Sequence, residues 1–242
     1  MTALGLLYPG HFAEDDYPRI EQLLGSDIRV DLVHTGAGED THRVAAPREP
    51  GSAELLAEGV EALRLAGVET VVWAGTGGFT HGWDGAQEQV RTLARLAGMP
   101  ASATSFGFVH AAREMGVRRV AVGTAWPEDV TGPFADFLRA GGLEVTGLRS
   151  SGAASPAEVA AWDEEDVLTL ARAADASDAQ AVLLPDTALH TAAHLGLLEN
   201  ALSKPVLTAS QVTVWEGLRL ADRRVNAPTL GSLFTREPLV QA

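Results

Sequence analysis

Two short segments carry the residue types from which an acid–base site can be built. Gly75-Thr76-Gly77-Gly78 follows the apolar run Val71-Val72-Trp73-Ala74, and Pro185-Asp186-Thr187 follows Val182-Leu183-Leu184. Glycines let a backbone come close to a ligand, and N–H groups at a helix approach bind anions. No Gly-Lys-Ser/Thr follows the first segment, and Gly75, Gly77 and Gly78 do not make the dinucleotide spacing G-x-G-x-x-G. The expected guest is therefore a carboxylate; a plain strand-to-helix turn is the alternative. Asp186 is a helix N-cap, a solvated loop residue, or an acid facing a cleft. Beside a bound carboxylate in an apolar cleft, desolvation and like charge disfavour its anion, so it could hold a proton and deliver it to carbon.

Other residues fit around these two segments. Thr124 offers a hydroxyl and Trp126 a ring and one N–H, both just before Pro127, while Tyr8-Pro9-Gly10-His11 could complete a rim. His81 and His190 follow the two loops closely and are secondary candidates for proton transfer. His190 and His194 have a metal-ligand spacing on an expected helix, but no H-E-x-x-H glutamate or third ligand is apparent, so no metal is expected. His34, His42 and His110 have no assigned role. The absence of a G-x-S-x-G elbow argues against a Ser-His-Asp hydrolase.

The elements that must position these residues are legible as short apolar runs. They are Ala3–Tyr8, Ile28–His34, Glu69–Trp73, Val117–Gly123, Leu143–Leu148, Ala179–Leu184 and Pro205–Leu207. Several are nearly continuous in Val, Leu, Ile and Ala, as in parallel strands buried on both faces. Helical stretches are expected from Ser52 to Gly67, Asp84 to Gly98, Ser105 to Gly116, Pro127 to Gly141, Asp163 to Asp175, Ala188 to Leu202 and Gln211 to Ala221. Gly67-Val68 and Gly116-Val117 begin the same helix-stop, turn and strand, and Asp178-Ala179 a looser copy. This echo predicts an α/β fold of two pseudo-symmetric Rossmann-like lobes, each a short parallel sheet flanked by helices. One lobe is expected at 1–102 plus 212–242 and the other at 103–211, with the site in the cleft between them.

The composition narrows the function. The 242 residues, 46% of them hydrophobic, suffice for a large core. Eighteen basic against 32 acidic residues give a charge of −14, which disfavours nucleic acid and anionic membranes. There is no cysteine, hence no disulfide and no thiolate metal site. No signal peptide or membrane span is expected, and a cytoplasmic protein, monomer or homodimer, follows.

With these loops placed, the chain resembles the aspartate/glutamate racemase superfamily, and most closely its arylmalonate decarboxylase and maleate isomerase branch. The resemblance rests on Trp73–Phe79, Met115–Trp126, Val182–Thr187, Val206–Leu220 and Gly231–Phe234, and runs in order over nearly the whole chain. It implies two four-stranded parallel lobes with the site between them. In racemases and maleate isomerases of this superfamily each loop supplies a cysteine; arylmalonate decarboxylase keeps only the second, as proton donor. Here those two positions match Gly75 and Asp186. The carboxylate-holding positions match Thr76, Gly77 and Thr187, and a tyrosine matches Trp126, which keeps the ring and loses the hydroxyl.

These departures exclude a covalent thiol adduct and two-thiol racemisation. One-sided proton transfer survives, so the resemblance implies cofactor-independent decarboxylation, or related lyase or isomerase chemistry, on a small carboxylic acid. Asp186 then takes the place of the catalytic cysteine, and Thr76, Gly77, Thr124 and Thr187 hold the carboxylate. Two alternatives stand beside it: a carboxylate-binding homologue without catalysis, and a hydratase or hydrolase in which Asp186 activates water.

Overall fold

In the computed structural model, residues 1–25, 27–35 and 52–235 are described. His42 and the last seven residues of the expected first lobe lie outside them. Eight strands form two sheets of four. The first holds β1 (Thr2–Tyr8), β2 (Ile28–His34), β3 (Thr70–Trp73) and β4 (Ala101–Ala103) in the order β2-β1-β3-β4. The second holds β5 (Arg119–Thr124), β6 (Glu144–Ser150), β7 (Ala181–Leu184) and β8 (Val206–Thr208) in the order β6-β5-β7-β8. All pairings are parallel and the two orders are the same, as the repeated turns predict.

Nine α-helices connect the strands among the described residues. They are α1 (Asp16–Leu24), α2 (Ala53–Ala66), α3 (Gly82–Ala97), α4 (Thr104–Glu114), α5 (Glu128–Ala140), α6 (Pro156–Ala160), α7 (Glu164–Ala174), α8 (Leu195–Leu202) and α9 (Ala209–Leu220). Gly67 and Gly116, the paired helix stops, both adopt the left-handed conformation, at φ 72° and 69°, which costs glycine little. The central strands β1, β3, β5 and β7 are buried along almost their whole length, which explains why their sequences read as unbroken apolar runs.

Four expectations change. Strand β4 and helices α1 and α6 are not among the expected elements, and the helix expected from Ala188 begins only at Leu195. Residues 185–194 instead form a chain of turns whose backbone groups are claimed by neighbours described below.

Each lobe sends its last helix to the other. α9 leaves β8 of the second sheet and packs on β1, β3 and β4 of the first. Gly217 lets it lie close, since a Cβ there would meet Leu4 at 3.3 Å. α4 leaves β4 of the first sheet and packs its Phe106 and Phe108 on Phe137 and Phe134 of the second lobe's α5. Where α4 and α9 touch, Glu216 is fully buried between His110, 2.9 Å away, and Arg219, at 2.7 and 2.8 Å. Burial pushes the Glu216 carboxyl up, but the hydrogen bonds and charges of Arg219 and His110 outweigh it and hold the group below its ordinary 4.5.

Two polar ties close the cleft end of the lobes. The Tyr8 hydroxyl, at the end of β1, donates to the carbonyl of Thr187 at 2.9 Å and accepts from the N–H of Ala13. Asp16, 3% exposed at the start of α1, accepts through Oδ2 from the N–H groups of Thr191 and Ala192 and from the Ser210 hydroxyl at 2.9, 3.1 and 2.7 Å.

Removing the Asp16 carboxyl strands several buried donors at once. Asp16→Ala should cost about 3–5 kcal/mol in urea unfolding, the range for breaking a buried charged network. The Glu216 shift predicts a second result. Because its folded pKa is depressed, its contribution is present above pH 4.5 and is lost as pH falls below it. Wild-type stability should drop across that window, and Glu216→Gln, already weaker at pH 7, should show a smaller drop.

Candidate active site

The candidate side chains sit at the carboxyl ends of the central strands, where open parallel sheets in general bind ligands. Leu7 pairs with Trp73, and Ala74 donates to the carbonyl of Leu7 at 2.8 Å, so Pro9 and Gly75 emerge side by side. A Cβ on Gly75 would lie 3.2 Å from the Pro9 ring. From there the contacts run through Tyr8 to Thr187. The loops expected to form the two halves of one site are thus joined through the end of β1.

The first half is a backbone cradle. Beyond Gly75, residues Gly77–His81 make a turn of 3-10 helix that leads into α3. Gly75 and Thr76 are buried while Gly77 is exposed, so the loop rises from the sheet towards solvent. Its floor is the indole of Trp73. A Cβ on Gly75 would stand 2.8 Å from Trp73 Cε2 and Cζ2 and one on Gly78 3.4 Å from Cζ3. The Trp73 Nε1 is buried there with no hydrogen-bond partner, a donor that the sequence reading did not single out. Its signal was present, as a tryptophan at the last position of a central strand.

The second half is built on Asp186, 2% exposed at the end of β7. Its Oδ1 accepts from the N–H of Ala188 at 2.9 Å and closes a turn, where the sequence offered a helix N-cap or a solvated loop residue as the alternatives. That bond fixes the orientation of the side chain at the end of β7. Tyr8 stands beside it. Burial pushes the Tyr8 phenol far above its ordinary 10.0; the Ala13 N–H opposes this, and the charges of Glu14 and Asp186 add to it. The phenol is therefore neutral and donates steadily to Thr187.

The wall comes from the second lobe. Trp126, 4% exposed, stacks on Phe79 with ring centroids 5.5 Å apart and meets Phe134 edge-on. Trp83 packs instead with Phe106 and Phe137. The Thr124 hydroxyl lies 2.6 Å from that of Thr131, which donates its own proton to the carbonyl of Pro127. Thr124 must then be the donor of that pair, so its single proton is committed within the lobe.

The histidines are dispersed. His81 is exposed at the start of α3. His190 lies 3.1 Å from Asp15 and His194 2.8 Å from Glu164. Because α8 starts after them, the helical i,i+4 geometry expected of this pair does not arise. Burial, and then the neighbouring His11, hold the His34 imidazole below its ordinary 6.5.

The comparisons with known proteins agree with this architecture. The profile of the Amdase family, arylmalonate decarboxylase, matches residues 51–234. The arylmalonate decarboxylase of Bordetella bronchiseptica is 33% identical over 145 residues, 59% of this chain. The chain spans 60% of the length of that curated relative. A liganded double mutant of arylmalonate decarboxylase superposes with a TM-score of 0.80 at 26% identity, covering 97% of this chain and 99% of that one. A maleate isomerase from Pseudomonas putida S16, solved with maleate, has the same fold, with a TM-score of 0.84 at 18% identity over 97% of both chains.

The Trp73 floor makes a specific prediction. A side chain at position 75 can enter only if the indole shifts. Gly75→Cys should therefore lower stability by about 1–3 kcal/mol, the usual cost of overpacking. Adding Trp73→Leu should restore much of it, as read by urea unfolding of the two variants; an undisturbed single variant would contradict the close contact.

Proposed function

Because the chain belongs to the arylmalonate decarboxylase family, we propose that it catalyses cofactor-independent decarboxylation, or a closely related proton-transfer reaction, on a small malonate-type dicarboxylic acid, with Asp186 as the acid. The observation that carries this reading is the placement of Asp186. It is buried at the end of β7, joined through Thr187 and Tyr8 to the loop that contains Gly75.

The retained carboxylate is held by the backbone N–H groups of Thr76 and Gly77, with the Thr187 hydroxyl from the other lobe. The departing carboxylate faces the apolar wall of Trp126 and Phe79, where desolvation favours loss of charge as carbon dioxide. When the carbon–carbon bond breaks, its electron pair moves onto the retained carboxylate as an enediolate, and the fixed N–H donors stabilise that charge. The Asp186 carboxyl then gives its proton to the α-carbon, and solvent returns one to it. The sum is dianion plus one proton to monoanion plus carbon dioxide. Gly75 supplies no acid or base on the opposite side, so the proton arrives from one face.

A second reading rests on the bond between Asp186 and Ala188. If capping that turn is its whole contribution, the cleft binds carboxylates without turning them over. The two are separated by Asp186→Asn, which keeps an oxygen for the Ala188 N–H and removes the acid. Turnover of arylmalonates should fall by roughly 10²–10⁴-fold, the usual worth of a general acid. Calorimetric binding of small dicarboxylates and the unfolding midpoint should stay near wild type. A fully active Asn variant would remove Asp186 from the chemistry. Binding without product or solvent-deuterium incorporation in the wild type would favour the binder.

A further inference from the structure

At the outer rim of the cleft, β1 and β2 end in register, with Tyr8 opposite His34. The chain leaving β1 turns back through His11 and Glu14 before α1 begins. This brings two imidazoles and a carboxylate together from residues 23 positions apart at most. One ligand-type atom of each of His11, Glu14 and His34 lies within 4.8 Å of the other two. Among the described residues no other group of three such side chains is so close.

Three features distinguish this from a chance surface cluster. The His11 and His34 rings lie nearly parallel, 19° apart with centroids at 4.1 Å, so the two imidazoles are packed against each other beside Glu14. His34 Nε2 and Glu14 Oε1 stand 3.8 Å apart. That is too far for a hydrogen bond but close to the spacing of two atoms sharing an ion at about 2.1 Å from each. The other Glu14 oxygen, Oε2, is buried and has no hydrogen-bond partner among the described residues. A buried orphan acceptor beside two imidazoles calls for a cation or a proton donor.

We propose that His11, Glu14 and His34 form a binding site for a divalent cation of the zinc class. Two imidazoles and one carboxylate suit zinc, nickel or cobalt and not magnesium or calcium, which take mainly oxygen ligands. Three protein ligands leave at least one position for water or a ligand carboxylate. The ion would stand next to the Tyr8 ring, whose centroid is 6.0 Å from that of His34. This inference is independent of the reaction proposed above, because none of the three residues takes part in it.

Titration of the full chain with zinc chloride in a calorimeter tests it. With no cysteine to compete, one equivalent should bind, and the thermal midpoint should rise with zinc concentration, as for any ligand of the folded state. His34→Ala and Glu14→Gln should each weaken binding at least tenfold, and His11→Ala, at an exposed position, serves as an independent probe if either of those fails to fold. His194→Ala should bind as wild type. Absence of binding at about 100 µM zinc, where a site of even modest affinity fills, would overturn the proposal. So would stoichiometric binding that persists in His11→Ala and His34→Ala. Magnesium binding as tightly as zinc would overturn the assigned class of cation.

Discussion

Asp16 holds a carboxyl group almost out of reach of water, on the first lobe, with its hydrogen-bond donors on the second. A buried acceptor of this kind is costly unless several donors surround it. Three are supplied by Thr191, Ala192 and Ser210, and they come from the turns before α8 and from the first turn of α9. The same turns begin at Asp186. A stretch of ten residues without helix or strand would ordinarily sample many conformations. Here its start is tied by Tyr8 to Thr187 and its far end by Asp16, so the position of Asp186 relative to the other lobe is set at both ends. The exchange of α4 and α9 between lobes acts in the same direction, because separating the lobes would expose the apolar faces of both helices.

The other half of the cleft is constrained by volume. The indole of Trp73 lies against the Gly75–Gly78 loop and takes the space that a side chain at position 75 needs. The two constraints together give an asymmetric site on a pseudo-symmetric scaffold. One strand end carries an acid held by its neighbours, and the equivalent strand end carries only backbone and an aromatic floor. The stacked pair of Trp126 and Phe79 places a dry, inflexible surface beside them. In such a site a charge that develops on substrate meets oriented N–H groups instead of mobile water.

How much of this was legible in the sequence depended on the range of the interaction. The central strands were plain, because burial on both faces leaves continuous apolar runs. The three-residue Ala101–Ala103 strand carries no such signal: alanine and serine fill it, and β3 alone defines it through backbone pairing. Residues 188–194 read as helix because alanine and leucine suit one locally, but Asp16, some 175 residues away, claims the N–H groups of Thr191 and Ala192. Tyr8 was seen as rim and not as a link, since its partner is 179 residues distant. That the Asp186 carboxylate would hold a nearby backbone N–H was legible, although as a helix N-cap and not as the two-residue turn found. His11, Glu14 and His34 were not, because only the register of β1 against β2 brings them together.

The carboxylate proposed as ligand would have to be drawn to a chain of net charge −14. Distant carboxylates weigh little, because at physiological salt their fields fade over about 8 Å. What decides is the potential within the cleft itself. No lysine or arginine is among the residues that make its two loops, so the attraction has to come from dipoles: the N–H groups of the glycine-rich turn and the hydroxyl of Thr187. Dipoles of this kind act over a few ångströms and only where they point. They favour a carboxylate seated against the backbone over one a bond length away, and in the proposed reaction it is there that charge would build up as carbon dioxide leaves. A cation side chain would bind the substrate more tightly before reaction, but without that preference for the charge as it develops. The absence of lysine and arginine from the loops therefore suits binding that strengthens towards the transition state.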